Sequence, residues 1–501
     1  MTDLFSILDE DHSRRLSTAA LEAAAAAGAS HTQVRVESIR SQEVGLRDAA
    51  LESSSDSTEF GVGVRVLVDG VFGFAATVER EVDDIATLAR RAVATARAVA
   101  RAQRRAVELA AEPSHGEVRW SSPYRIDPTS VSLADKVELL GRWSRQILDV
   151  EGISHVSASV MCVSEEKHYA DSAGTTAFQR RVRLQPAVEA IATHDKAGFE
   201  SMRTVAPPVG RGWEYLLGDG WDFEAELAQL PADLLEKLHS PSVEAGRYDL
   251  VVDPTNLWLT IHESIGHATE LDRALGYEAA YAGTSFATPD KLGTLQYGSS
   301  VMNVTGDRTA EFGLATTAID DEGVAGQSFD LIRDGVLVGY QLDRATASVA
   351  GRDRSNGCAY ADSPLHVPIQ RMANVSLQPA PGDGPSTEEL ISRVDRGIYA
   401  VGDKSWSIDM QRYNFQFTGQ RFYRIENGVL AGQLRDVDYQ ATTTDFWGSM
   451  EAVGGRQTYL LAGAFNCGKG QAGQVAPVSH GCPSALVRNV SILNARSEGG
   501  R

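Results

Sequence analysis

Cysteine is scarce. The four in this 501-residue chain, Cys162, Cys358, Cys467 and Cys482, are widely spread, which excludes a disulfide-stapled scaffold and fits a reducing cytoplasm. No apolar run approaches the roughly 20 residues needed to span a bilayer, so no membrane span is expected. Met1-Thr2-Asp3-Leu4-Phe5 carries no basic region followed by an apolar stretch, so no signal peptide is expected either. Basic side chains are in the minority: 47 Lys and Arg against 67 Asp and Glu leave a formal charge of −20, which argues against nucleic acid or an anionic membrane as a general partner. Disorder is excluded because 43% of the residues are hydrophobic and only 23% charged. No internal repeat is present.

What is there exceeds one ordinary core, so two or three domains are expected. Up to about residue 112, helix and strand signals alternate. An Ala-rich helix is read over 16–27, a strand over 33–38, a hairpin over 62–77 turning at Asp69-Gly70, and a long helix over 85–111. That helix lines up Arg90, Arg97, Arg101 and Arg104, read as a solvated face. Glu112-Pro113-Ser114-His115-Gly116 has linker composition. A middle segment over 113–243 follows, with a helix at 133–150, antiparallel strands at 153–163 and 175–193, and a helix at 223–239 that Pro231 interrupts or restarts. From 244 to 501 the chain reads as mostly β, with hairpins turning at Asp334-Gly335 and Asn427-Gly428. The fold class is therefore α+β. An N-terminal α/β part (1–112) with an antiparallel sheet and long helices leads through 113–243 to a β-rich domain over 244–501.

That last segment opens with a buried strand at 248–252 and then the densest chemistry in the chain, His262-Glu263-Ser264-Ile265-Gly266-His267. Two imidazoles with an adjacent carboxylate are the minimum set for metal-assisted hydrolysis. Asp253 is a good N-cap and Pro254 the preferred first helical residue, so a half-buried helix is expected to start there, with Leu257, Ile261, Ile265 and Ala268 facing the core. The two His are five apart, whereas ordinary zincins place them four apart. On a regular helix five steps separate the rings by about 140°, against about 40° for four. One extra residue in the turn, a π-bulge, brings the angle back to about 50°, and Gly266 is where it fits.

Zinc needs a third protein ligand, with one position left for water. Glu270, Glu278, Cys358, Cys467, His480 and Cys482 are candidates among which spacing does not choose. Cys467 has small neighbours, and Lys469 nearby would favour its thiolate. Residues 463–469 also match the first seven positions of a phosphate-binding loop, but Gly470 replaces the Ser or Thr that would hold magnesium. Residues 468–473 spell GxGxxG without opening a helix. Nucleotide binding is disfavoured on both counts.

The HExxxH string together with Gly276-Tyr277-Glu278, Asp321-Glu322-Gly323, Arg371-Met372-Ala373-Asn374 and Asn466-Cys467-Gly468-Lys469 resembles the TldD branch of the TldD/PmbA metallopeptidase family, over essentially the whole chain. The resemblance implies a zinc-dependent peptidase with His262, His267 and Cys467 as metal ligands and Glu263 as general base. It also implies unfolded or extended peptides as substrate, such as leader peptides of ribosomally made natural products or disordered proteins. The expected partner is a TldE/PmbA-like paralogue that lacks HExxxH, in a heterodimer. His480 and Cys482 stand outside the family's metal set and are read as packing residues. The competing expectation is a non-catalytic scaffold with a structural His pair.

Overall fold

The computed structural model describes residues 8–470 and 473–498; Met1-Thr2-Asp3-Leu4-Phe5 and two positions of the GxGxxG string lie outside the described residues. The fold is α+β, built around two sheets of seven strands.

The first sheet takes strands from both sides of residue 112. Its order is Val71–Thr77, Ala50–Val68, His31–Arg47, Ile153–Asp171, Thr176–His194 and Glu117–Ser121, with Gly198–Arg203 also paired to Thr176–His194. The tight turn at Asp69-Gly70 forms because both residues adopt positive φ, the geometry that an Asp-Gly pair tolerates. Helices Glu10–Ala26 and Val82–Val99 cover one part of the sheet through an apolar cluster including Leu16, Val64 and Ala92. Helices Leu133–Leu148 and Phe223–His239 cover another part. The helix read over 85–111 stops at Val99. Beyond it, Val107 N donates to Gly70 O at 2.7 Å and Ala110 N to Arg344 O at 2.9 Å, so tertiary hydrogen bonds replace the last helical turns and Arg101 and Arg104 leave the helix. Pro231 sits inside an uninterrupted helix over Phe223–His239.

The second sheet closes on itself. Gly246–Val252 pairs in parallel with Arg396–Ile408, which runs antiparallel to Asn414–Glu426, then Val437–Thr442, then Ala485–Asn494, which returns to Gly246–Val252. This five-stranded barrel delivers the chain directly into helix Pro254–Ile261, whose Asp253 N-cap accepts from Thr255 N. Leu257, Ile261 and Ile265 join Phe415, Phe417 and Tyr439 of the barrel in one core. The helix expected to be half-buried is wholly buried: every residue from 254 to 273 is. The barrel and neighbouring loops surround it, so its polar side chains are paired inside the protein. Asn256 Nδ2 donates to Gly402 O at 2.8 Å and Tyr439 Oη to Asn256 Oδ1 at 2.8 Å.

A buried ionic layer joins the first sheet to the C-terminal part. Lys167 lies 2.7 Å from Asp321 and 3.1 Å from Glu37, Arg183 lies 3.1 Å from Glu165, and Arg65 lies 2.7 Å from Glu322. Such clusters survive burial because each charge finds several opposite partners.

Candidate metal centre

The helix loses its regularity where the spacing demands it. Residues His262–Gly266 form a π turn, in which His267 N donates to His262 O, five residues back. A wider turn frees carbonyls that must find other donors. Tyr297 Oη donates to Ser264 O, Thr269 Oγ1 to Ile265 O at 2.8 Å, and Gln341 Nε2 to Gly266 O at 2.7 Å. Gly266 keeps φ negative, so its role is close approach rather than left-handed backbone: a Cβ there would stand 2.7 Å from Met372 Sδ and 3.5 Å from His480 Cε1.

The result is that His262 and His267 face each other, ring centroids 4.7 Å apart. Cys467 arrives from the far end of the chain on the hairpin of Leu460–Lys469 and Gln474–Cys482. A bulge between Ala464 and Cys467 re-aims the strand there. The thiol lies 3.6 Å from His267 Nε2, and one ligand atom from each of His262, His267 and Cys467 falls within 4.8 Å of the others. All three are buried, and this donor set, two imidazoles and a thiolate, suits a borderline-soft ion such as zinc.

For the two imidazoles, burial disfavours protonation. Burial lowers the pKa of His262 despite Glu263, and burial with Arg273 holds His267 well below the usual range. Both imidazoles therefore keep free lone pairs. Burial raises the Cys467 thiol, with Arg371 opposing. Lys469 does not sit beside that thiol, contrary to the expectation drawn from sequence. Lys469 shares a strand face with Cys467, two residues away in regular register, but its ammonium is held by Glu270 Oε1 at 3.0 Å, Asp272 Oδ1 at 2.8 Å and Gln370 O at 2.8 Å, whose charges and dipoles draw it away from the thiol.

Glu270 stands behind His267 and so is not placed as a third ligand: its Oε2 is 2.9 Å from His267 Nδ1 and 3.1 Å from Arg273 Nε. Burial pushes the Glu270 carboxyl up, but Lys469 and Arg273 outweigh it and hold it well below the carboxylate range. Glu278 accepts instead from Gly470 N at 3.1 Å. Cys358 lies apart, its thiol pushed up to about 12 by burial, and Cys482 Sγ faces Pro254 O at 3.5 Å. Glu263 projects beside the two imidazoles and is paired to Arg412 Nη1 at 2.6 Å. Arg412, in a left-handed turn at φ 64°, went unnoticed in the sequence, where a lone Arg between strands carries no signal. The string at 371–374 is a buttress: Arg371 donates to Cys467 O and to Gln474 O at 3.0 Å, and Asn374 Oδ1 accepts from Ser479 N at 3.2 Å.

Three family models match successive segments of the chain. The sequence matches the PmbA/TldA metallopeptidase C-terminal domain over 245–494, domain 1 over 32–96 and the central domain over 126–230. The chain belongs to the PmbA/TldD metallopeptidase family. Its similarity to the metalloprotease MJ0996 of Methanocaldococcus jannaschii is 27% identity over 480 residues, 93% of this chain and 97% of that protein. A protein of Saccharolobus solfataricus named zinc metalloprotease TldD homolog is 26% identical over 275 residues, 55% of this chain and 58% of its own length. Among solved structures, TldE from Thermococcus kodakarensis superposes with a TM-score of 0.70 at 16% identity, covering 95% of this chain and 99% of that one, a shared fold. As a family member the chain is a metallopeptidase.

Proposed function

We propose that this metallopeptidase is a zinc-dependent peptidase of the TldD branch, that His262, His267 and Cys467 hold the ion, and that Glu263 is the general base. One observation carries the reading: three soft or borderline donors converge within 4.8 Å in a buried site, next to a carboxylate on the same π turn. A relative named zinc metalloprotease supports the choice of metal. Zinc, when bound, supplies a Lewis acid that makes water a stronger acid and polarises a peptide carbonyl. The chain's own residues do the rest. Glu263 takes the proton from the attacking water at one carboxylate oxygen and returns it to the leaving amine. Arg412 holds the other oxygen, Oε2, and so fixes the direction in which that proton moves.

Unfolded or extended peptides are the proposed substrate. Strand Leu460–Lys469 pairs on one edge only among the described residues, and beside it lies a cavity of about 240 Å³ lined by Trp258, Pro207, Trp406 and Phe465. A peptide added as a strand to that edge is held by its backbone, which suits broad specificity. The partner in this reading is a paralogue lacking HExxxH, and the shared fold with TldE supports such a pairing. A reducing cytoplasm suits it too, since all four cysteines are free thiols. Among the described residues no helix is long and apolar enough to cross a membrane.

Glu263→Ala tests the mechanism. Zinc content stays at the parent level while cleavage of an unfolded peptide falls at least about 100-fold, the usual worth of a general base. Cleavage at the parent rate would overturn the assignment.

A further inference from the structure

His480 lies on strand Gln474–Cys482, opposite Ala462, and is fully buried. Trp258 stacks on one side of its ring at 6.2 Å between centroids, and Gly266 admits its Cε1 on another. Its Nδ1 is 2.9 Å from Val375 O and its Nε2 is 2.7 Å from His262 Nδ1. A carbonyl oxygen only accepts, so the proton of His480 sits on Nδ1. A neutral imidazole has one such proton, and the hydrogen bonds of this ring go to Val375 O and His262 Nδ1, with no carboxylate among them to hold a second proton. Its Nε2 is therefore an acceptor, and His262 Nδ1 must be the donor. By elimination His262 Nε2 carries the free lone pair, on the side facing His267 and Cys467.

From this chain of hydrogen bonds we infer that His480 is a positioning residue for His262, fixing the tautomer and ring orientation that present His262 Nε2 to the metal. The inference rests on the reading of His262 as a ligand. His480 has no lone pair left for the ion, so it is not a fourth ligand. Nor is it filler: a Phe of similar size would pack against Trp258 yet accept nothing from His262. The two ligand imidazoles are thus held differently. His267 leans on a carboxylate that Lys469 and Arg273 neutralise, and His262 leans on a neutral imidazole anchored to a backbone carbonyl.

Partners of this kind typically govern metal affinity 10- to 100-fold, and affinity is the readout. In the full chain, zinc is titrated against a chromophoric chelator. His480→Phe binds zinc about 10- to 100-fold more weakly, and His480→Gln, whose side-chain carbonyl still accepts from His262, recovers most of that loss. Cobalt-loaded His480→Phe keeps the thiolate charge-transfer band, because Cys467 is untouched. Zinc affinity in His480→Phe equal to the parent, or no recovery in His480→Gln, overturns the inference. Nitrogen-15 shifts of the His rings in the parent decide it even if His480→Phe does not fold: His262 and His480 are both expected to be protonated at Nδ1, and a proton on His262 Nε2 overturns the assignment. Failure of the underlying metal reading looks different, since a parent that binds no zinc, or a His262→Ala variant that binds it normally, removes His262 as a ligand altogether.

Discussion

Cys467 and Cys482 lie on the same hairpin and are both buried, yet their surroundings separate them. One thiol faces His267, and the other faces the carbonyl of Pro254. Cys467→Ala is therefore expected to lose stoichiometric zinc, whereas Cys482→Ala retains it, by metal analysis of the purified proteins. Zinc kept in the first and lost in the second would reverse the ligand choice. Much at this scale could be read from the chain itself: the imidazole pair and Glu263 are contiguous and announce themselves. Cys467 could be singled out by its small neighbours, but the supporting role given to Lys469 was misplaced, because the carboxylates that take its ammonium, Glu270 and Asp272, lie 199 and 197 residues away in sequence. Arg412 and the hydrogen-bonded role of His480 depend on contacts 149 and 218 residues apart, distances at which pattern carries no information.

The π turn over His262–Gly266 is the element on which the site depends, and it costs hydrogen bonds that a regular helix would make. Gln341 bears much of that burden. Its Nε2 serves Gly266 O and Thr269 Oγ1, and its Oε1 accepts from Ala373 N at 2.8 Å. Gln341→Leu leaves two buried backbone groups without partners, at about 1–3 kcal/mol each. Denaturant unfolding of the metal-free variant should show a loss of about 2–4 kcal/mol, and a change below 0.5 kcal/mol would mean the turn needs no such support. The need for a distorted turn near Gly266 followed from helical arithmetic on a five-residue spacing. Its starting cap at Asp253 was equally plain. Complete burial of the helix was not, since a closed barrel arises from pairings such as Val487 with Leu250, between segments far apart in the sequence.

For the whole molecule, the division into 1–112, 113–243 and 244–501 remains our proposal, and one sheet runs through the first two parts. Stability at this scale carries a pH signature. Burial lowers His168 to about 3 from its ordinary 6.5, with Arg14 adding to the effect; its ring stacks on Phe178 and meets Ser17 Oγ at 2.9 Å. A lowered folded-state pKa means that the unfolded chain takes up the proton first. The associated stability is present above pH 6.5 and is lost as pH falls toward 3. Buried acids such as Asp320, raised to about 7 by burial and Glu322, act in the opposite sense, so the informative quantity is a difference. Between pH 7 and pH 5 the parent should lose about 2 kcal/mol more than His168→Gln, measured by urea unfolding with chelator present. Equal losses would show that His168 does not titrate on unfolding.

The thiol that meets His267 comes 200 residues after it. During synthesis, the helix with its two imidazoles leaves the ribosome long before the hairpin that completes the cluster. On the proposed assignment a nascent chain carries the base and two ligands but no finished hydrolytic centre, an order of synthesis that would spare it from cutting itself or its neighbours while it is still unfolded and most open to attack.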